Sequence, residues 1–260
     1  MYGWRARLAM IIAHSNAVLE PECARLLPEG VSLHATRVRI GGVSVEGNLI
    51  PEQQMKQAVS LLSDINARVY VWACTAANMA AGVDGDLDQA RMITAMTGRP
   101  AVATATALVE ALTALEARRI VLATPYSPDL NQSSTAYWKA AGFEVVRMAG
   151  VDLGGARKPM EPLSSVPVSH VGMQPAHIAY NLARLAYDAK ADAVVLSGAG
   201  MRTIEAAAPF ERDYGIPFVS STLATMWAAL QAADVREPIT GYGRLLEEQP
   251  ELRWVRIPRP

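Results

Sequence analysis

The chain has 260 residues, 24 Lys and Arg against 25 Asp and Glu, and 51% apolar residues, a composition that supports a folded core and excludes disorder. The near-zero net charge, without a basic stripe or interleaved Arg and aromatic residues, argues against a nucleic-acid partner. Two cysteines form no disulfide framework, and no stretch reaches the about 18 apolar residues of a membrane span, so a reduced, cytoplasmic protein without membrane association is expected.

The apolar run near the start is too short for a signal-peptide core and reads as a first strand over 7–13. A helix over 20–27 follows, with Cys23 on its core-facing side. Then come a strand over 32–39, a helix over 51–65, a strand over 69–73, a helix over 85–97, a strand over 101–104 and a helix over 105–114. The second half predicts strands over 119–124, 144–149, 193–197 and 218–220, with helices over 128–140, 174–189, 203–213 and 222–232. Apolar strands alternating with amphipathic helices predict an α/β fold of mostly parallel sheets flanked by helices. Active residues are then expected beyond the carboxyl ends of the strands. Residues 150–171, rich in Gly, Pro and Ser, break the rhythm and read as a lid or a plain surface excursion.

The two halves repeat. Gly98-Arg99-Pro100-Ala101-Val102 matches Gly215-Ile216-Pro217-Phe218-Val219, and each opens an apolar helix. Upstream, Val69 to Thr75 matches Ala193 to Ala199. Two pseudo-symmetric lobes with a cleft between them are expected: residues 1–114, with 233–260 packing back on them, and residues 115–232. Cys74 ends its strand in the first lobe, and Gly198 stands at the matching position of the second.

Cys74 is the leading candidate for chemistry. At a strand end before a helix, amide N–H groups can lower a thiol pKa; the plain alternative is a small buried hydrophobe. Thr75 and Ser197, beside the two turns, can donate to a carboxylate or an enediolate oxygen, or can simply cap helices. Tyr126 sits at another strand end and can donate to the same oxygen or plug the lobe interface. Asn16 is a candidate carboxylate ligand. His14 is a candidate second acid or base, or a hydrogen-bonded support. Arg202 reads as a surface ion pair or a substrate partner. No phosphate loop, dinucleotide fingerprint, serine elbow or metal motif is present, so no cofactor is indicated.

These residues resemble the Asp/Glu racemase superfamily, within it the arylmalonate decarboxylase and maleate cis-trans isomerase branch. The resemblance covers most of the chain. It rests on Ile11 to Asn16 with Glu20, Ala73-Cys74-Thr75, Ala123-Thr124-Pro125-Tyr126, Leu196-Ser197-Gly198-Ala199-Gly200, the run Gly215 to Ser221, Trp227 and Gly241-Tyr242-Gly243-Arg244-Leu245. It implies a cofactor-free site between two lobes and small carboxylate substrates; whether the chain forms a homo-oligomer is left open by the sequence. Racemases and maleate isomerases of the group carry a cysteine on each side. Arylmalonate decarboxylases carry one, at the second position, with Gly at the first. Here Cys74 holds the first position and Gly198 the second, the decarboxylase arrangement reflected across the pseudo-two-fold. Maleate isomerases of the group also carry an Asn after the second strand of the Tyr126 lobe, and no Asn lies between Asn131 and Asn181 here.

The resemblance implies a lyase acting on a malonate-type dicarboxylate. Asn16, Thr75, Tyr126 and Ser197, with amides near Gly198 and Ala199, hold the enediolate, and Cys74 returns a proton. Val43, Ala76 and the 150–171 loop would desolvate the leaving carboxylate. The alternatives are an isomerase or racemase with Cys74 as nucleophile or base, and a dicarboxylate-binding homologue without catalysis.

Overall fold

A computed structural model describes residues 1–40, 49–151 and 171–258. Val43 and most of the 150–171 stretch lie outside the described residues, as does the lid reading attached to them. Strands β1 (Ala6–Ala13), β2 (Val31–Val38), β3 (Val69–Ala73) and β4 (Ala101–Ala103) form one sheet, ordered β2-β1-β3-β4. Strands β5 (Arg119–Thr124), β6 (Glu144–Gly150), β7 (Ala193–Leu196) and β8 (Phe218–Ser220) form a second, ordered β6-β5-β7-β8. Every pairing is parallel.

The repeat extends to strand register. Leu8 lies opposite Val69 as Ile120 lies opposite Ala193, and Tyr70 opposite Ala101 as Val194 opposite Phe218. Continuing the count to the strand ends pairs Cys74 with Gly198, Ala13 with Pro125 and His14 with Tyr126.

The helices are α1 (Leu19–Arg25), α2 (Glu52–Ser60), α3 (Thr75–Ala80), α4 (Gly82–Thr97), α5 (Thr104–Ala114), α6 (Pro128–Ala140), α7 (His177–Ala186), α8 (Ala207–Tyr214), α9 (Ser221–Ala232) and α10 (Arg244–Glu248). Helices α4 and α8 end alike. Gly98 (φ 62°) and Gly215 (φ 74°) close them in the left-handed conformation that Gly adopts without strain. The proline two residues on prevents the helix from resuming and starts the next strand. Short α3 and α10 are not foreseen by periodicity, since neither completes two turns. The helix expected over 51–65 stops at Ser60, and Ser63–Ile65 forms a separate 3₁₀ turn. The helix expected over 203–213 divides into a 3₁₀ turn, Ile204–Ala206, and α8.

Helices α5 and α9 lie at the centre. All of α9 is buried, as is α5 from Thr104 to Leu112. A helix without a polar face belongs to an interior. The two pack on each other, and each reaches across: α9 touches β3 and β4, and α5 touches β8. One apolar core therefore runs through both halves. The carboxyl-terminal segment touches both. Arg5 pairs with Glu237 at 2.5 Å, while the Arg244 amide donates to Glu211 at 2.8 Å. The Trp227 indole donates to the Pro250 carbonyl at 3.1 Å.

Candidate active site

Cys74 leaves β3 in extended conformation (φ −147°, ψ 92°) and immediately precedes α3. It is 6% exposed. Burial pushes its thiol up to about 11, and a hydrogen bond from the Ala77 amide opposes this only partly. The thiol is thus neutral at ordinary pH, which corrects the expectation that a helix start would lower its pKa. Desolvation of a thiolate outweighs the single amide of a helix one and a half turns long.

From the other half, the turn after β7 meets α3. Thr75 Oγ1 donates to Ser221 Oγ at 2.8 Å and accepts from the Ala199 amide at 3.2 Å. The Gly198 amide donates to the same Ser221 oxygen at 3.0 Å. Two hydroxyls and two amides thus converge, all of them buried. The Tyr126 hydroxyl lies 3.4 Å from Ser197 Oγ and faces Thr75 and Cys74. Burial pushes the phenol well above its usual range, so it is a proton-bearing donor. Ala76, half-buried, is the second residue of α3.

Asn16 bridges the halves. Its Nδ2 donates to the Ala199 carbonyl at 3.0 Å, and its Oδ1 accepts the amides of Val18 and Leu19 at 2.9 and 3.0 Å. It therefore holds the turn through a carbonyl while capping the start of α1. His14 Nδ1 accepts the Ile40 amide at 3.4 Å. Arg202 is exposed and pairs with Glu205 at 3.4 Å. Cys23 is wholly buried within α1. Among the described residues, no group of three or more His, Cys, Asp and Glu is placed to hold a metal ion, and no helix is long and apolar enough to cross a membrane.

Sequence reasoning misses three members of this constellation. Ser221 is detectable from the repeat, which sets it against Thr104, the first residue of α5. Asn78, one turn beyond Cys74, accepts the Ala105 amide at 3.2 Å and ties α3 to α5. Glu22 is a carboxylate on the apolar stripe Leu19, Glu22, Cys23 and Leu26.

The family model described as arylmalonate decarboxylase matches residues 8–246. The chain belongs to the arylmalonate decarboxylase family. It is 29% identical over 255 residues to a maleate isomerase of Nocardia farcinica, covering 93% of this chain and 96% of that one. A Nocardia farcinica maleate cis-trans isomerase, a cysteine-to-serine mutant with a covalently bound succinylcysteine intermediate, superimposes with a TM-score of 0.82. That pair is 27% identical, with 94% and 98% of the two chains covered. A liganded arylmalonate decarboxylase with one glycine changed to cysteine and one cysteine to serine gives a TM-score of 0.80 at 25% identity, covering 94% and 99%. This two-lobed enzyme family therefore includes both decarboxylases and isomerases.

Proposed function

We propose that this chain is a cofactor-independent decarboxylase of a small prochiral malonate-type dicarboxylate, with Cys74 as the proton donor. The observation that carries this reading is one buried, neutral thiol near the Tyr126 hydroxyl, which itself faces Thr75 and Ser197, with Gly at the pseudo-symmetric position. A proton donor must hold its proton, whereas a nucleophile or base must lose it. Burial favours the first role.

In the proposed reaction the bond from the α-carbon to one carboxylate breaks and CO2 leaves. The electron pair passes into the remaining carboxylate, which becomes an enediolate. The α-carbon then takes the Cys74 proton, and solvent reprotonates the thiolate. Thr75, Ser197, Ser221 and Tyr126 hydroxyls, with the Gly198 and Ala199 amides, hold the enediolate oxygens. Substrate binding would exchange the mutual hydrogen bonds among Thr75, Ser221 and these amides for bonds to the carboxylate. Oxyanion donors of this kind are worth roughly 2.7–4 kcal/mol each. Asn16 keeps the Ala199 peptide oriented.

The decarboxylase relative whose glycine became cysteine while a cysteine became serine supports the premise that the thiol can stand at either of two positions. With the thiol on the reflected side, product handedness opposite to that of an enzyme with only the second cysteine is expected. Proton NMR in D2O with a panel of α,α-disubstituted malonates tests this. A monocarboxylate carrying one deuterium at the α-carbon, lost in Cys74→Ser, is expected; unchanged product and chirality in Cys74→Ser would sink the assignment.

A second reading rests on the succinylcysteine intermediate in the Nocardia relative. In it Cys74 adds to a maleate-like double bond, the adduct rotates, and elimination returns the trans isomer. Fumarate from maleate in the same panel would select it.

A further inference from the structure

We propose that Glu22 is a positioning residue that sets the direction of the Gly198 and Ala199 amides by gripping the far end of their turn from the other lobe. The role of those amides rests on the decarboxylase reading; the grip itself does not. Glu22 lies on α1 of the first half and is 4% exposed. Its Oε1 accepts the Thr203 amide at 2.7 Å and the Ile204 amide at 3.3 Å, both from the second half. A buried carboxylate is costly unless such donors satisfy it, and an apolar residue on this stripe would pack more cheaply. Breaks of local pattern of this kind concentrate where function demands them.

Two routes carry the grip to the site. Along the chain, Thr203 ends the turn that begins at Gly198, and the Met201 amide bonds back to the Gly198 carbonyl at 3.0 Å, which stiffens it. Across the fold, Thr203 Oγ1 lies 2.9 Å from Ser220 Oγ, which caps α9 by accepting the Leu223 amide at 3.3 Å. The next residue, Ser221, receives the Gly198 amide and the Thr75 hydroxyl. Helix α1 and the residues that lead into it thus hold this one turn at both ends, through Asn16 at Ala199 and through Glu22 at Thr203.

The surroundings make the grip sensitive to pH. Burial raises the Glu22 carboxyl to about 7, while the Thr203 and Ile204 amides oppose the rise. The Thr222 hydroxyl faces the carboxylate and favours the anion. Glu205, itself paired with Arg25 and Arg202, pushes slightly the other way. Neighbouring Cys23 is held neutral by burial. A carboxyl raised from 4.5 to about 7 costs the folded state stability as pH climbs through that window. Glu22→Gln removes this cost, so at about pH 8 the variant is expected to be no less heat-stable than the parent while its turn is displaced.

The test is an amide NMR titration of the parent and Glu22→Gln between about pH 5.5 and 8.5, with kcat and KM on the malonate panel. In the parent, the Thr203, Ile204 and Ala199 amides are expected to shift together with one midpoint near 7; in Glu22→Gln they stay flat. The variant's kcat is expected to fall roughly 10- to 100-fold with little change in KM. If Ala199 stays still in the parent while Thr203 titrates, the positioning role is overturned. The parent titration decides this even if the variant folds poorly. Amides that move together in a protein without malonate turnover would overturn the decarboxylase reading and leave the positioning role standing.

Discussion

The turns after β3 and β7 occupy equivalent places in sheets of equal order and register, yet they exchange volume. In the first, Cys74 ends its strand beside Ala13. In the second, Gly198 ends its strand beside Pro125. A β-carbon at Gly198 would sit 2.9 Å from Pro125 Cγ and 3.0 Å from Cδ, closer than side chains tolerate. Each pair matches one small residue with one larger one. The missing second thiol is therefore more than a single replaced side chain, because the neighbouring strand end fills the space a side chain would need. A duplicated frame becomes one-sided through packing and through the backbone together: Cys74 has φ −147°, whereas Gly198 has φ 157°, where a side chain would be strained.

The largest way to break this comparison is to remove the one thiol. Cys74→Ser is expected to lower kcat by roughly 10²- to 10⁴-fold, the usual worth of a positioned general acid. The melting temperature should fall modestly, since the buried hydroxyl is costlier to desolvate than the thiol but can still accept the Ala77 amide. Retention of full activity would mean that the proton comes from elsewhere, with His14, the register counterpart of Tyr126, as the first residue to test.

A second thiol sharpens the comparison. Gly198→Cys alone is expected to cost about 1–3 kcal/mol through overpacking against Pro125, read as a lower denaturant midpoint. Adding Pro125→Ala should recover part of that loss. If the recovered protein carries thiols on both faces, its monocarboxylate product should lose optical purity. A well-folded double variant whose product stays as pure as before would show that a thiol at 198 does not reach the α-carbon.

Much of this frame was legible in the sequence, because the repeat and the apolar strands are local patterns. Cys74, Thr75, Tyr126 and Ser197 stand at strand ends, and strand ends can be read from apolar runs. What was not legible depends on contacts across the fold. Ser221 meets Thr75 over 146 positions of chain, and Glu22 meets Thr203 over 181. No periodicity encodes such pairings, although an acid on an apolar helical stripe was visible as an anomaly. The expected fall in the Cys74 pKa failed for a related reason: the strand end announces nearby amides, but the depth of burial depends on the whole packed interior.

Acidity gives a subtler test of the same asymmetry. The Cys74 thiol rises from 9.0 to about 11, so the donor form persists through neutral pH. Activity should therefore show no loss from Cys74 ionisation near neutrality, and should fall as pH approaches 11. The folded-state pKa is raised, so the stability linked to this proton is complete below about 9 and is lost between about 9 and 11. Thiolate absorbance during a pH titration, compared with Cys74→Ser, checks the assignment. Ionisation near or below 9 would mean that the thiol is not desolvated and would weaken the proton-donor reading.

The smallest effect is expected at Arg202, the positive side chain nearest in sequence to the Gly198 turn. A cation there invites the idea of a carboxylate ligand. Its side chain is 47% exposed, and the guanidinium lies 3.4 Å from Glu205, which is also paired with Arg25. Exposed pairs of this kind contribute about 0–1 kcal/mol, and Arg25 would keep Glu205 partnered after Arg202 is removed. Arg202→Ala should therefore shift stability by less than about 0.5 kcal/mol and leave KM for the dicarboxylate unchanged. A tenfold rise in KM would place Arg202 at the substrate and would mean that substrate binding draws this exposed side chain inward. The proposed hydroxyl and amide cluster would then no longer account for carboxylate recognition by itself.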